Sequence, residues 1–236
     1  MRIHIINPNS SSELTEAVAE TARSVVSAGT AVTAVNPSSG PAVIEGSYDE
    51  ALATYHLVQE VMRAEREDRP DAYVIACFGD PGLNAVRELT EKPVVGIAEA
   101  AIQLSSFIGA TFSIVSTLPR VRSHLHGLVR RAGATNRLAS VKTPDLGVMA
   151  FHEDAGSAQA TLEQAAKEAV QEDGAEVVVL GCAGMAGLAR RLSEELQVPV
   201  IDPVEAACRV AESLSALGYG TSKANTYEKP TEKVYN

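Results

Sequence analysis

Two cysteines stand at equivalent places in an internal repeat. AYVIACFGDPGLNAVRELTEKPVVGIAEAA, which contains Cys77, echoes EVVVLGCAGMAGLARRLSEELQVPVIDPVEAA, which contains Cys182. In each copy an apolar strand ends at the cysteine. A glycine-containing turn, a helix, a proline-led short strand and Glu-Ala-Ala follow. Leu83 comes six residues after Cys77, as Leu188 does after Cys182; Glu99 comes twenty-two after Cys77 and Glu205 twenty-three after Cys182, so one insertion aligns the copies. A weaker echo joins IHIINPNSS to FSIVSTLPR, each an apolar strand stopping at small polar residues before a helix. Two lobes related by a pseudo-twofold axis would set equivalent cysteines on opposite walls of a cleft. That suits a reaction that must reach both faces of one carbon. One thiolate takes the proton of a carbon acid while the opposite thiol returns one, and the roles reverse for the other enantiomer. Such chemistry needs neither a metal nor an organic cofactor, and none is expected. A thiol at a strand-to-helix turn feels the helix N-terminus and unpaired N–H groups, which favour thiolate. The turns Phe78-Gly79 and Ala183-Gly184 are expected to approach the substrate and donate backbone N–H groups to an oxygen that gains charge as an enolate forms.

The elements that must position these residues read as an α/β fold with mainly parallel sheets. Short β-branched runs alternate with longer stretches of helical period. The sequence predicts strands near 2–7, 30–35, 72–77, 94–97, 111–116, 138–142 and 176–181, most of them buried on both faces. It predicts helices near 11–28, 49–66, 81–91, 98–108, 119–132, 155–172, 185–196 and 203–217, several opened by Pro, Ser or Asp. In parallel sheets the ligand lies beyond the carboxyl ends of the strands, which is where Asn7, Cys77, Thr117 and Cys182 fall. The turn-rich segments 36–48 and 143–150 read as loops at the cleft rim, and the polar tail 218–236 as loosely ordered.

Each supporting residue has a plainer reading beside the functional one. Asn7 and Ser10 are placed to bond a substrate, but Asn-Pro-Asn-Ser is also an ordinary turn and helix cap. Thr117 either bonds the substrate or caps the helix beginning near Pro119. Asp80 either orients substrate N–H groups and tunes the thiol, or starts a helix before Pro-Gly. Pro41, Val43 and Ile44 either line the pocket or pack on the sheet. Cys208, at helical spacing in VEAACRVAESL, reads as a buried small hydrophobe. His124 and His126, two residues apart, point to different helix faces and do not share a metal. The arginines at 120, 122, 130 and 131 read as a solvated or subunit-contact helix. Glu99 and Glu205 read as favourable charges at helix starts.

With 236 residues, 45% hydrophobic and 21% charged, the chain is long enough for one large α/β domain or two small ones sharing a cleft. No apolar run reaches the roughly 18 residues of a membrane span. The opening MRIHII lacks the pattern of an export signal, so a cytoplasmic location is expected. Three cysteines far apart make no disulfide framework and are expected to be free thiols. The net charge of −10 argues against nucleic acid and anionic membrane as partners. A small-molecule binding module and a redox protein pairing Cys77 with Cys182 are the readings from other classes, although the close C-x-x-C spacing of redox sites is missing.

The strand-end cysteine pair, NPNS near the start, CFGDPGL and GCAGM resemble the aspartate/glutamate/hydantoin racemase superfamily, and within it the hydantoin and allantoin racemase branch. The resemblance covers essentially the whole chain. It implies that Cys77 and Cys182 act as opposed acid and base, and it suggests a homo-oligomer. It also implies two similar lobes, 1–97 with a returning C-terminal helix in 206–236, and 98–205. Amino-acid racemases of the superfamily look like C-N-T and G-C-T-E at the two cysteines. Here those places read Cys77-Phe78-Gly79-Asp80 and Gly181-Cys182-Ala183-Gly184, so the side chains that would hold a free carboxylate and ammonium are missing. Backbone groups suit a neutral ring with imide N–H and carbonyl groups. The expected activity is racemisation of 5-monosubstituted hydantoins as small-molecule substrates. The runners-up are an allantoin racemase, then an amino-acid racemase or a two-cysteine decarboxylase or isomerase.

Overall fold

The computed structural model describes residues 1–150 and 154–231. The first half runs β1 (Arg2–Ile6), α1 (Ser12–Val25), β2 (Ala31–Val35), α2 (Ser47–Glu67), β3 (Ala72–Ile75), α3 (Leu83–Leu89), β4 (Val94–Gly96) and α4 (Ile97–Ile108). The second half repeats that order with β5 (Phe112–Val115), α5 (Arg122–Arg131), β6 (Leu138–Lys142), α6 (Ala155–Gln171), β7 (Val177–Leu180), α7 (Ala189–Leu196), β8 (Val200–Ile201) and α8 (Pro203–Ala216). Two parallel four-stranded sheets result, ordered β2-β1-β3-β4 and β6-β5-β7-β8. The second order is the first shifted by four strands, so the sequence repeat is a repeat of topology. The fold is α/β with two similar lobes, as the alternating pattern implied. Element ends coincide with the expected ranges or differ from them by at most four residues, where the backbone frays or turns into caps.

Alternation along the central strands divides the core into three layers. Ile3 and Ile5 of β1, Val74 of β3, Phe112 and Ile114 of β5, and Val177 and Val179 of β7 face one shared interior. Ile6, Tyr73 and Ile75 face outward onto Leu57 and Val61 of α2. Val115, Val178 and Leu180 face outward onto Leu162 of α6 and Leu192 of α7. Between the sheets lie α4 and α8, the two helices that begin with the repeated Glu-Ala-Ala. They are packed against each other, α4 reaching β7 of the second sheet and α8 reaching β3 and β4 of the first. Cys208 is fully buried in this interior, as helical spacing predicted.

The tail departs from expectation as far as residue 231. Thr221 N–H donates to the Glu91 carbonyl (2.9 Å), the Lys223 ammonium bonds the Arg87 and Glu88 carbonyls at the end of α3, and the Arg87 guanidinium stacks 5.6 Å from the Tyr227 ring centroid. A cation at a helix C-terminus meets carbonyls that have no helical partner, which is what seats this polar segment. Residues 232–236 of the predicted tail lie outside the described ones. Among the described residues no helix is long and apolar enough to cross a membrane.

Candidate active site

Cys77 and Cys182 each lie two residues beyond the carboxyl end of an innermost strand, β3 and β7. Both are half-buried, and both line a single cavity of about 200 Å³. Its walls come from both lobes. Asn7, Asn9, Leu14, Val18, Ile44, Ala76, Phe78 and Gly79 belong to the first half; Ser116, Thr117, Val121, Leu125, Val148, Ala183 and Gly184 belong to the second. The rim loops meet where the Val148 N–H donates to Glu45 Oε1 (3.2 Å), so segments 36–48 and 143–150 close one side, as their turn-rich sequences predicted.

The local backbone brings donors to each sulfur. Gly184 N–H points at Cys182 Sγ (3.4 Å), and Gly79 N–H makes the corresponding bond to Cys77. Gly181 admits the second turn: a Cβ there would lie 2.6 Å from Ser116 Cβ, so only a glycine lets β7 pass this close to the end of β5. The Cys77 turn is tied down from behind by Asp80. Its carboxylate accepts from Ala98 N–H (3.1 Å) and Glu99 N–H (2.8 Å) and so caps α4. Burial pushes the Asp80 carboxyl up to about 7 against the pull of those two N–H groups.

Burial also decides the state of the thiols. It pushes Cys77 up to about 12, with the Gly79 N–H pulling the other way and the negative charge of Cys182, Asp80 and Glu50 adding to the rise. Cys182 is pushed up to about 11 by burial, with the Gly184 N–H opposing and Glu45 adding. The expected lowering survives only through local N–H groups, including Gly184 in the short 3-10 turn Ala183–Met185 that Cys182 caps, and burial outweighs it. Helix α3 starts at Leu83 and α7 at Ala189, more than a turn past each cysteine, and the field of a helix end fades within its first turn. Because a charge on Cys182 raises Cys77, two thiolates at once are disfavoured, so the first ionisation of the pair leaves one thiolate facing one thiol.

Of the residues singled out in the sequence, Asn7, Ile44, Cys77, Phe78, Gly79, Thr117, Cys182, Ala183 and Gly184 line the cavity. Two do not. Pro41 sits behind the wall, where its carbonyl accepts the Ser10 N–H (2.9 Å), and Asp80 turns away to cap α4. Asn7 borders the cavity, but its amide is spent on Asn9, Ser11 and Thr15. Sequence reasoning missed Asn9, Leu14, Val18, Glu50 and four residues in and just before the first turn of α5. Leu14 and Val18 carry the spacing of an ordinary core face. Arg120, Val121, His124 and Leu125 do have an i, i+4 signal that aims one face inward. There His124 Nε2–H donates to the Gly79 carbonyl (3.2 Å), with Glu50 Oε2 3.8 Å from Nδ1, so the second lobe holds the Cys77 turn directly. His4, Glu60 and Asp68 form the group close enough for a shared ion among the described residues, but Arg63 donates to Glu60 and Asp68 (2.7 Å each), and none of them lines the cavity.

The comparisons with known proteins agree with this architecture. The family model for Asp/Glu/hydantoin racemase matches residues 3–211. A hydantoin racemase of Paenarthrobacter aurescens is 76% identical over 235 residues, covering 100% of both chains. The solved structure of an allantoin racemase from Klebsiella pneumoniae superposes with a TM-score of 0.97 at 44% identity, covering 100% of this chain and 96% of the other. An allantoin racemase from Pseudomonas fluorescens gives 0.96 at 38% identity, with both chains fully covered. With two repeated α/β lobes, a strand-end cysteine from each in one cavity, and a match over nearly its whole length, this chain belongs to the Asp/Glu/hydantoin racemase family.

Proposed function

We propose that the protein interconverts the D and L forms of 5-monosubstituted hydantoins, with Cys77 and Cys182 working on opposite faces of C5. The observation that supports it most is the pairing of two repeat-equivalent cysteines in one cavity, each with a glycine N–H at its sulfur. The 76% identical relative is named a hydantoin racemase, and the turn residues next to the cysteines, Phe78, Gly79, Ala183 and Gly184, offer the cavity backbone groups and no charged side chain.

In the reaction one thiolate removes the C5 proton. The C–H bond breaks, an S–H bond forms, and the electron pair moves into the adjacent carbonyl as an enolate. The opposite thiol then gives its proton to the other face, leaving the second sulfur as thiolate. A base whose proton affinity has been raised by burial is better matched to a weakly acidic carbon, at the expense of a smaller thiolate population. Apolar walls from Leu14, Val18, Val121 and Leu125 keep water from the enolate and suit a hydrocarbon substituent. The reading needs no metal or organic cofactor. It takes a small molecule rather than nucleic acid or membrane as partner, and places a homo-oligomer in a reducing cytoplasm.

Allantoin carries the same ring with a ureido substituent, and two solved relatives are allantoin racemases, so it is the second substrate to test. The experiment follows optical rotation of D- and L-5-benzylhydantoin and of allantoin in D2O, with proton NMR of exchange at C5, for wild type, Cys77→Ser and Cys182→Ser. Both benzylhydantoin enantiomers should racemise with wild type, and each variant should lose racemisation while exchanging at most one enantiomer. Racemisation of allantoin alone would move the substrate to the ureido compound. No loss of rotation beyond the enzyme-free control would end the hydantoin reading.

A further inference from the structure

The loop after β1 holds two asparagines, and hydrogen-bond accounting gives them different duties. Asn7 Nδ2 donates to Asn9 Oδ1 (2.8 Å) and Thr15 Oγ1 (3.0 Å), with the Ser11 carbonyl (3.3 Å) sharing one of its two N–H groups, while its Oδ1 accepts the Asn9 N–H (3.4 Å). Asn9 Oδ1 also accepts the Ser11 N–H (2.9 Å). A backbone N–H can only donate and a carbonyl can only accept, so Ser11 fixes which end of each amide is oxygen. The end of Asn9 left over is its NH2 group. Neither of its N–H donors meets an acceptor among the described residues, although Asn9 is only 7% exposed and lines the cavity of the two cysteines. At the matching strand end of the second lobe, the Ser116 hydroxyl is spent on the Gly181 carbonyl (2.8 Å), while the Thr117 hydroxyl, 5% exposed, has no partner among the described residues. Neither donor is among the buried unpartnered atoms, so both keep accessible surface in the cavity with no protein acceptor taken, which leaves them able to donate to a ligand held there.

We propose that Asn9 is the side chain that recognises the substrate ring, its NH2 group donating to the ring carbonyl next to C5, and that Asn7 is a positioning residue that locks Asn9 in this orientation. The proposal rests on the hydantoin reading for its substrate. The carbonyl next to C5 is the one that gains charge as the proton leaves, so a donor aimed at it acts on kcat as well as KM. Thr117 supplies the second polar contact, from the other lobe.

The test is Asn9→Asp, which keeps the oxygen that holds Ser11 and Asn7 and replaces only the NH2 group with an oxygen. Its kcat/KM for 5-benzylhydantoin should fall on the order of 100-fold, as for loss of one oxyanion donor, with an unchanged thermal midpoint. Asn7→Ala should lower kcat by a smaller factor and raise KM. A kcat/KM for Asn9→Asp within about twofold of wild type would overturn the proposal. Titration of 15N-labelled wild type with unsubstituted hydantoin separates this from the reading beneath it. The side-chain amide resonance missing from Asn9→Asp should shift on binding. A shift without wild-type turnover would sink racemisation and keep ring recognition; turnover without a shift would do the reverse.

Discussion

Replacing Gly96 by Ala should destabilise the fold through a side chain that belongs to another part of the chain. An added Cβ would lie 2.3, 2.4 and 2.5 Å from Cγ, Oδ1 and Oδ2 of Asp80, too close for the carboxylate to stay. Its departure removes two buried bonds to the start of α4, worth about 1 kcal/mol each, and the remaining crowding adds about 1 more. Gly96→Ala should therefore cost about 3 kcal/mol. Asp80→Gly loses the same two bonds and costs about 2, since relief of the left-handed backbone at Asp80 (φ 47°) offsets the added chain entropy of glycine. If the sites were independent the double variant would cost about 5 kcal/mol. With the clash gone it should cost about 2, a coupling near 3 kcal/mol. The repeat supplies a restoring partner. Gly96 aligns with Asp202, which caps α8 through Val204 and Glu205 N–H groups, the counterparts of Ala98 and Glu99, and its backbone (φ −78°, ψ 122°) is close to that of Gly96 (φ −81°, ψ 142°). Asp80→Gly with Gly96→Asp should return to within about 1 kcal/mol of wild type. Urea unfolding at pH 6 measures all four proteins. Additive single effects, or a swap no better than Asp80→Gly with Gly96→Ala, would refute the reasoning. The pH dependence has a fixed sign. Asp80 titrates at about 7 in the fold against 3.8 as a free group, so its stabilisation is complete below 3.8 and is lost as pH rises through 7. The penalty of Asp80→Gly should thus be larger at pH 5 than at pH 8.

Two further outcomes concern the cysteine turns. Iodoacetamide should label the free enzyme slowly at pH 7 and faster as pH climbs past 9, with Cys182 (about 11) ahead of Cys77 (about 12) and Cys208 unlabelled until unfolding; a rate already level below pH 8 by mass spectrometry would mean a thiolate at neutral pH. Gly181→Ala should cost about 1–3 kcal/mol in thermal or urea unfolding, and Ser116→Gly in the same chain should recover part of it, because the clash is with the Ser116 side chain. No recovery would place the strain elsewhere.

The two-lobe α/β fold was legible because its signals are local and repeated. Strands such as VVVL and helices opened by Ser11 or Asp202 carry their own periodicity and caps. The two-residue strand Val200–Ile201 is too short to show a period and was visible only through its echo of Val94–Gly96. Site details failed where the partner is far along the chain. Asp80 looked like a cleft residue because it follows Cys77 by three, whereas its partners are 18 and 19 residues on. Leu14 and Val18 looked like core because a cavity wall and a core face have the same spacing. The thiols were expected to be acidic from their turns, and burial, which no single turn encodes, reversed the direction.

The same distinction explains why the cysteines were readable and the ring contacts were not. Under the two-base reading, C5 must be approached equally from two faces, so the groups that move the proton can descend from one ancestral turn and keep its sequence, as Cys77 and Cys182 do. The ring between them has no such symmetry: one edge offers the carbonyl that gains charge, and the opposite edge does not. On that reading, groups that hold the ring must diverge between lobes, and the two strand ends do differ. The end of β1 carries Asn7 and Asn9, one spent on positioning the other, while the end of β5 carries Ser116, spent on Gly181, and Thr117 with its hydroxyl unspent. Duplication accounts for the paired cysteines, and departure from duplication is where specificity for one ring has to be sought. A variant that restores the symmetry, Thr117→Asn, should accordingly leave exchange at C5 possible from both faces while raising KM for the hydantoin ring. Unchanged KM in the polarimetric assay would show that the second lobe does not hold the ring through this position.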